Sequence, residues 1–188
     1  TVSIKTYVRN EKAEGRKIEL RSIITDADSK IVERLSSTAI IRPGMTHEFL
    51  QQSSPIRNPK LWSPESPYLY TVFTEVWTDG QLCDTYTSPL GFRWFRWDFA
   101  ENKLIVNGEK IHIHGTNRHQ EYPWVGDAMP RWMTERDMMD IRYGMNSNFM
   151  RTAHYPHDPM VYDFNDEHGI ITVVESPNIK PINFGRDI

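Results

Sequence analysis

Gly115-Thr116-Asn117-Arg118-His119-Gln120, Arg151-Thr152-Ala153-His154-Tyr155-Pro156 and Ile170-Ile171-Thr172-Val173-Val174-Glu175 are three short passages in a chain of 188 residues. Each reads as the C-terminal end of a short apolar strand, and each sets Asn, Arg, His or Glu just past it. Polar residues gathered from the ends of successive parallel strands are how a (β/α) barrel builds a site. The intervals fit that reading. Thr134 is a plausible N-cap, with Glu135 and Asp137 in a dipole-favoured first turn. That helix is predicted to run to about Tyr143, with Gly144 at C′. Asn148-Phe149-Met150 reads as a strand. Asp158-Pro159 reads as N-cap and N1 of a second helix ending at Gly169. The apolar run from Ile170 to Val174 marks a strand covered on both faces. Residues 111–188 therefore read β-α-β-α-β with parallel strands.

Before this stretch the period changes from helical to two. Val2, Ile4 and Val8 share one parity against Ser3, Lys5 and Arg9, the mark of a half-buried strand. Lys17 to Thr25, Lys30 to Ile41 and Thr46 to Gln52 continue the pattern. Asp26-Ala27-Asp28-Ser29 and Arg42-Pro43-Gly44 break it as turns. Tyr68 to Trp77 is dense in aromatic and β-branched residues, and Asp79-Gly80 turns it into Gln81 to Thr87. About six or seven short strands at this spacing suggest an all-β immunoglobulin-like sandwich over residues 1–90. Residues 91–110 read as a transition. Gly91 to Trp97 is too aromatic for a free linker and is expected to dock the two parts together. Asn107-Gly108 is a type I′ hairpin signal.

Composition narrows the function classes. The net charge of -3 offers no basic patch for nucleic acid or a membrane surface. No apolar run approaches the ~20 residues of a membrane-spanning helix. The one cysteine, Cys83, permits no intrachain disulfide and no cysteine-based zinc site; it reads as a half-buried structural thiol. A disulfide-free chain fits cytoplasm or periplasm and does not choose between them. Aromatic residues reach 12%, six of them Trp, enough to serve both as core and as platforms for sugar rings. His112 and His114 share a strand face but need a third convergent ligand before they could hold a metal. Asp166-Glu167-His168 reads as a solvated helix end. Trp94 and Trp97 read as packing residues before sugar-stacking ones.

Taken in order, the motifs resemble glycoside hydrolase family 2, the family of β-galactosidases, β-glucuronidases and β-mannosidases. Leu61-Trp62-Ser63-Pro64-Glu65-Ser66-Pro67-Tyr68-Leu69-Tyr70 resembles the phrase near the end of its immunoglobulin-like domain. Gly91-Phe92-Arg93 resembles the exit from that domain, and Asn107-Gly108-Glu109-Lys110 the hairpin before the catalytic barrel. Gly115 to His119 and Arg151 to Pro156 resemble its first and second barrel strand ends. The asparagine-arginine-histidine phrase leans toward β-galactosidases. The resemblance implies an immunoglobulin-like sandwich followed by an incomplete (β/α)8 TIM barrel, its first three or so βα units.

The resemblance also implies roles. His119 and His154 would line the sugar subsite, Arg151 would contact the nucleophile carboxylate, and Asn117 would belong to the same wall. Gln120 stands where many members have glutamate. Val174-Glu175-Ser176-Pro177 stands where β-galactosidases have aspartate-glutamate-alanine-asparagine, which leaves the sugar specificity open. The family's retaining mechanism uses two carboxylates about 5–5.5 Å apart. Both come from later barrel strands, so no catalytic residue is expected here and the chain alone is expected to be inactive. A supporting role is expected of Glu175. No cofactor or metal is expected within this stretch, with a divalent cation left to a full-length enzyme. A carbohydrate substrate is the implied partner, and a homo-oligomer is left open. The competing reading is a non-catalytic carbohydrate-binding or protein-interaction β-sandwich module.

Overall fold

The computed structural model describes residues 1–177. The chain forms two compact units, Thr1–Lys60 with Tyr68–Phe92, and Leu61–Pro67 with Arg93–Ile188.

The first unit is an immunoglobulin-like sandwich. Its strands are β1 (Ser3–Arg9), β2 (Arg16–Thr25), β3 (Ile31–Ile41), β4 (Thr46–Gln52), β5 (Tyr70–Thr78) and β6 (Gln81–Leu90). β1 and β4 pair antiparallel from Ser3↔Gln52 to Arg9↔Thr46. The other four form a sheet in the order β3-β2-β5-β6. The alternation read along β2 is the burial alternation of the fold: Ile18, Leu20, Ser22 and Ile24 all face inward. Leu20 and Ile24 are fully buried, each burial contributing about 2 kcal/mol. In two clusters they meet side chains at the β1–β4 sheet, Ile24 with Val2 and Ile4 beside Tyr70 of its own sheet, and Leu20 with Phe49 and Val8 beside Ile41 of its own sheet. Gln51 crosses the same gap. It accepts from Ser22 Oγ at 2.6 Å and donates to Leu20 O and Ser37 Oγ. The interior polar groups are thus satisfied, as burial demands. Asp79 (φ 50) and Gly80 (φ 76) make the β5–β6 turn that the Asp-Gly signal predicts. Cys83 corrects its expectation. It is exposed, because β6 is an outer strand that pairs only with β5.

The second unit opens a TIM barrel. A three-stranded antiparallel sheet, β7 (Phe95–Asp98), β8 (Lys103–Val106) and β9 (Glu109–Ile111), precedes it. Asn107 (φ 52) and Gly108 (φ 94) close the β8–β9 hairpin. Then come β10 (Gly115–Arg118), α1 (Arg131–Met139), a π-helical turn (Asp140–Gly144), β11 (Phe149–Thr152), α2 (Pro159–His168) and β12 (Ile171–Val173). β10, β11 and β12 are parallel neighbours in chain order. Met138, Ile141, Met150, Val161, Phe164 and Ile170 form the core between the helices and one face of this sheet. Phe149, Ile171 and Val173, on the other face, line a hollow of about 450 Å³ together with Phe95, Trp97 and Leu104. Val173 is therefore half exposed, and β12 is not covered on both faces as its apolar run predicted. Trp94 and Trp97 are 51% and 40% exposed.

Local signals set α2 as read. Asp158 Oδ1 accepts from Met160 N at 2.9 Å, Pro159 takes N1, and Gly169 ends the helix at φ 76. The start of α1 differs from its prediction. Pro130, not Thr134, is the N-cap residue, and its carbonyl accepts from Met133 and Thr134 N. Proline already holds the φ needed at a helix entrance, so the helix begins one turn earlier and buries Thr134. Gly144 is not the left-handed terminator either. The π turn carries the helix through it, and Asn146 takes the positive φ of 52°.

Residues 61–67 do not cluster with the strands that flank them. Trp62, 2% exposed, donates from Nε1 to Asp166 O at 2.7 Å and lies under the Arg93 guanidinium. Asn107 donates to its carbonyl. Arg142 reaches three carbonyls at once: Pro64 O, Ser147 O and His168 O. It ties this segment to the entries of β11 and β12. Asp166-Glu167-His168 is accordingly not a simple solvated end. Asp166 also pairs with Arg93, and His168 Nδ1 lies 2.8 Å from Tyr143 Oη.

Candidate functional site

The site grows from the pleat of the three parallel strands. Alternate residues point to one face, and the register puts Asn117 beside Arg151 and Arg151 beside Val173. Glu175 lies two residues beyond Val173, on the same face by parity. Arg151 donates from Nη1 to Asn117 Oδ1 at 3.2 Å. Its Nη2 is 2.7 Å from Glu175 Oε2. His154 Nδ1 lies 2.8 Å from the same oxygen. That contact assigns the proton to Nδ1, since a carboxylate can only accept. Nε2 of His154 is thereby left to accept from a ligand hydroxyl. The two charge-assisted contacts have a further effect: the His154 hydrogen bond first, and then the Arg151 charge, hold the Glu175 carboxyl below its ordinary range.

His119 completes the wall. Its ring meets His154 edge-on at a centroid separation of 5.1 Å and Tyr155 at 6.3 Å. Tyr155 Oη accepts from Gln120 N, and Gln120 Oε1 accepts from Asp158 N at 2.7 Å. The residue that departs from the usual glutamate thus joins the loop after β10 to the cap of α2. Glu175 N donates to the buried Thr152 Oγ1, which fixes where β12 releases its carboxylate.

Behind the wall, the opposite parity builds a support. Arg118, 4% exposed, points to the helix side. Its Nε donates to Asp137 Oδ2 at 2.8 Å and its Nη1 to His157 Nδ1 at 3.3 Å. His157 is buried as well, and its Nε2 has no hydrogen-bond partner among the described residues. Burial, then the neighbouring Arg118 charge, pushes its pKa down, so the ring is neutral at pH 7 and free to accept from the guanidinium.

All four residues singled out from the sequence, Asn117, His119, Arg151 and His154, are brought together. Glu175 joins them as an anchor. Tyr155, Gln120 and the Arg118–Asp137–His157 group were not singled out as site residues. Strand parity could have found Arg118, since it is the residue between Asn117 and His119. His112 and His114 stack at 5.9 Å and are exposed. Among the described residues no group of three His, Cys, Asp or Glu side chains converges as a metal site. No helix of the described residues is long and apolar enough to cross a membrane.

Residues 1–93 match the family model described as glycosyl hydrolases family 2, and residues 98–185 match the TIM barrel domain of the same family. A β-galactosidase of Thermoanaerobacter pseudethanolicus is 34% identical over 89% of this chain and 22% of its own length. A β-glucuronidase of Bacteroides fragilis is 34% identical over 96% of the chain and 25% of its own length. The crystal structure of Bacteroides uniformis β-glucuronidase superposes with a TM-score of 0.89 at 31% identity, over 97% of this chain and 22% of that one. The chain therefore spans about a quarter or less of the relatives it matches. The two family models together cover nearly the whole chain, and the chain belongs to glycosyl hydrolase family 2.

Proposed function

We propose that this chain supplies the sugar-holding wall of a retaining exo-β-glycosidase that acts on terminal β-linked sugars. One observation carries the reading: Asn117, Arg151, His154 and Glu175 form a continuous hydrogen-bonded row across three parallel strand ends, with His119 against it. In such a row His154 Nε2, the His119 ring and the Asn117 amide face sugar hydroxyls. A guanidinium has five N–H donors, so Arg151 keeps donors for a further carboxylate beyond its bonds to Asn117 and Glu175. A nucleophile oriented in this way suits a mechanism that needs two carboxylates. Glu175 is not one of the pair. It is engaged twice and held ionised, which makes it a poor proton donor, so its role is to position Arg151 and His154.

A neutral sugar such as galactose fits better than a uronic acid. Among the described residues the cation of the row, Arg151, is matched by Glu175, and the donors it keeps are the ones assigned above to the nucleophile, which leaves none for a uronate carboxylate. The free-standing β-sandwich module is not favoured, because residues 98–185 match the barrel of the same family.

The test is saturation-transfer NMR on this chain with methyl β-D-galactoside. Transfer is expected in the wild type and lost in His154→Ala and Arg151→Ala, with unchanged far-ultraviolet circular dichroism. The matching β-glucuronide is expected to show weaker transfer, and 4-nitrophenyl β-D-galactoside to release no nitrophenol. Galactoside binding that survives both substitutions would overturn the assignment.

A further inference from the structure

The loop from Gln120 to Pro130, between β10 and α1, holds a feature that packing among the described residues does not explain. Tyr122 and Gly126 bond to each other in both directions, Tyr122 N to Gly126 O at 3.2 Å and Gly126 N to Tyr122 O at 2.9 Å. The tight turn they close lifts Trp124 to full exposure, 100%. Trp124 also has φ 74. A bulky residue in the left-handed region is a genuine outlier, where glycine would sit without strain. The largest side chain of the twenty is thus held in an unfavourable backbone conformation while burying nothing among the described residues. Strain kept without a packing return points to use by a ligand.

The surroundings define that ligand. The hollow beside the turn is lined by Glu121, Tyr122, Pro123, Gly126 and Asp127. An indole face and a half-exposed tyrosine ring suit the C–H face of a pyranose. The two carboxylates accept hydrogen bonds from hydroxyls, and they repel anions. Among the described residues no lysine or arginine lines this hollow. The chemistry selects a neutral polyhydroxylated ring over a phosphate or a uronic acid. Position points the same way. Trp124 lies five residues beyond His119, within about 18 Å even at full extension. Gln120, between them, is fixed to Tyr155 and to Asp158.

We infer that Trp124 is the platform of a second sugar subsite, which stacks a neutral ring of a β-linked oligosaccharide whose terminal residue sits against His119 and His154. The inference rests on the function proposed above and deepens it: the substrate class is a neutral oligosaccharide rather than a glycoside of a small alcohol. No bond is made or broken at Trp124, whose contribution is affinity and choice of substrate.

Two substitutions test it. Trp124→Gly removes the ring and fits the left-handed turn, so it is expected to raise the urea midpoint slightly while weakening binding of β-1,4-galactotriose about tenfold. Trp124→Phe, which keeps an aromatic face, is expected to stay within about threefold of the wild type. Methyl β-D-galactoside, too short to reach the platform, should bind all three proteins equally. Affinities are read by NMR titration of the chain. Unchanged galactotriose affinity in Trp124→Gly overturns the subsite, as does a proline-rich peptide or a trigalacturonate binding in its place. If methyl galactoside fails to bind the wild type while galactotriose binding still depends on Trp124, the terminal-sugar wall fails and the platform stands.

Discussion

At the scale of single residues, the site turns on one carboxylate, that of Glu175, set between a guanidinium and an imidazole. Glu175 anchors Arg151 and His154 together, and that pairing depends on pH with a definite sign. Its pKa in the folded chain is depressed below the ordinary value of 4.5. The contribution is therefore fully present above that value and is lost as acid carries the pH down through the lower, folded one. The stability difference between the wild type and Glu175→Gln should hold steady from pH 7 to about pH 5 and shrink only in stronger acid. Urea unfolding of both proteins at several pH values makes the comparison; a difference that does not change with pH would remove the ionised Glu175 from the site. The four residues of the wall were legible because family motifs sit at strand ends, where side-chain direction follows from strand geometry. Glu175 was legible as a strand-end carboxylate beside the wall, and the structure sets it against Arg151 and His154. Tyr155, Gln120 and His157 were not, because their roles arise from contacts across loops that no local periodicity encodes.

Elements were legible in proportion to how local their signals are. Asp158-Pro159 with Gly169, and Asn107-Gly108, each specify a backbone conformation within a few residues, and each appears where it was read. Thr134 was a sound cap by the same rules, but Pro130 offered an earlier start and the burial of Thr134 went with it. Cys83 lay in an amphipathic-looking strand whose outer place in the sheet is a property of topology, not of pattern. Two substitutions separate local from non-local determinants. Asp158→Ala removes one capping bond and should cost about 1 kcal/mol in urea unfolding. Gly115→Ala should cost several times more, about 3 kcal/mol or above. A Cβ there would fall 1.8 Å from Phe149 O, on the strand that pairs with it, and β10 could not keep its place beside β11. Equal costs would show that the close approach of these strands is not enforced by the missing side chain.

On the scale of the whole molecule, the chain passes between its two units three times, at 60/61, 67/68 and 92/93. Trp62 is the largest buried side chain of the short excursion. Trp62→Ala should lower stability by about 3–5 kcal/mol and slow proteolysis nowhere; a loss under 1 kcal/mol by chemical denaturation would show the excursion to be ornamental. This arrangement was not legible, since Leu61 to Pro67 reads as an ordinary connector between two strands and its partners lie up to about a hundred residues away. Its consequence reaches into ancestry. A gene exchange between two relatives at residue 92, the obvious seam, would draw Trp62 and Pro64 from one parent and the helix that receives them from the other. Asp166 would tolerate this, since it receives Trp62 through its backbone carbonyl, and Arg142 would do so as long as its guanidinium is kept, since it donates to the backbone carbonyl of Pro64. Gly169 would not: a Cβ there would lie 2.3 Å from Pro64 O. Descent should therefore have carried the connector and α2 as one heritable block, across a seam that the order of the two units disguises.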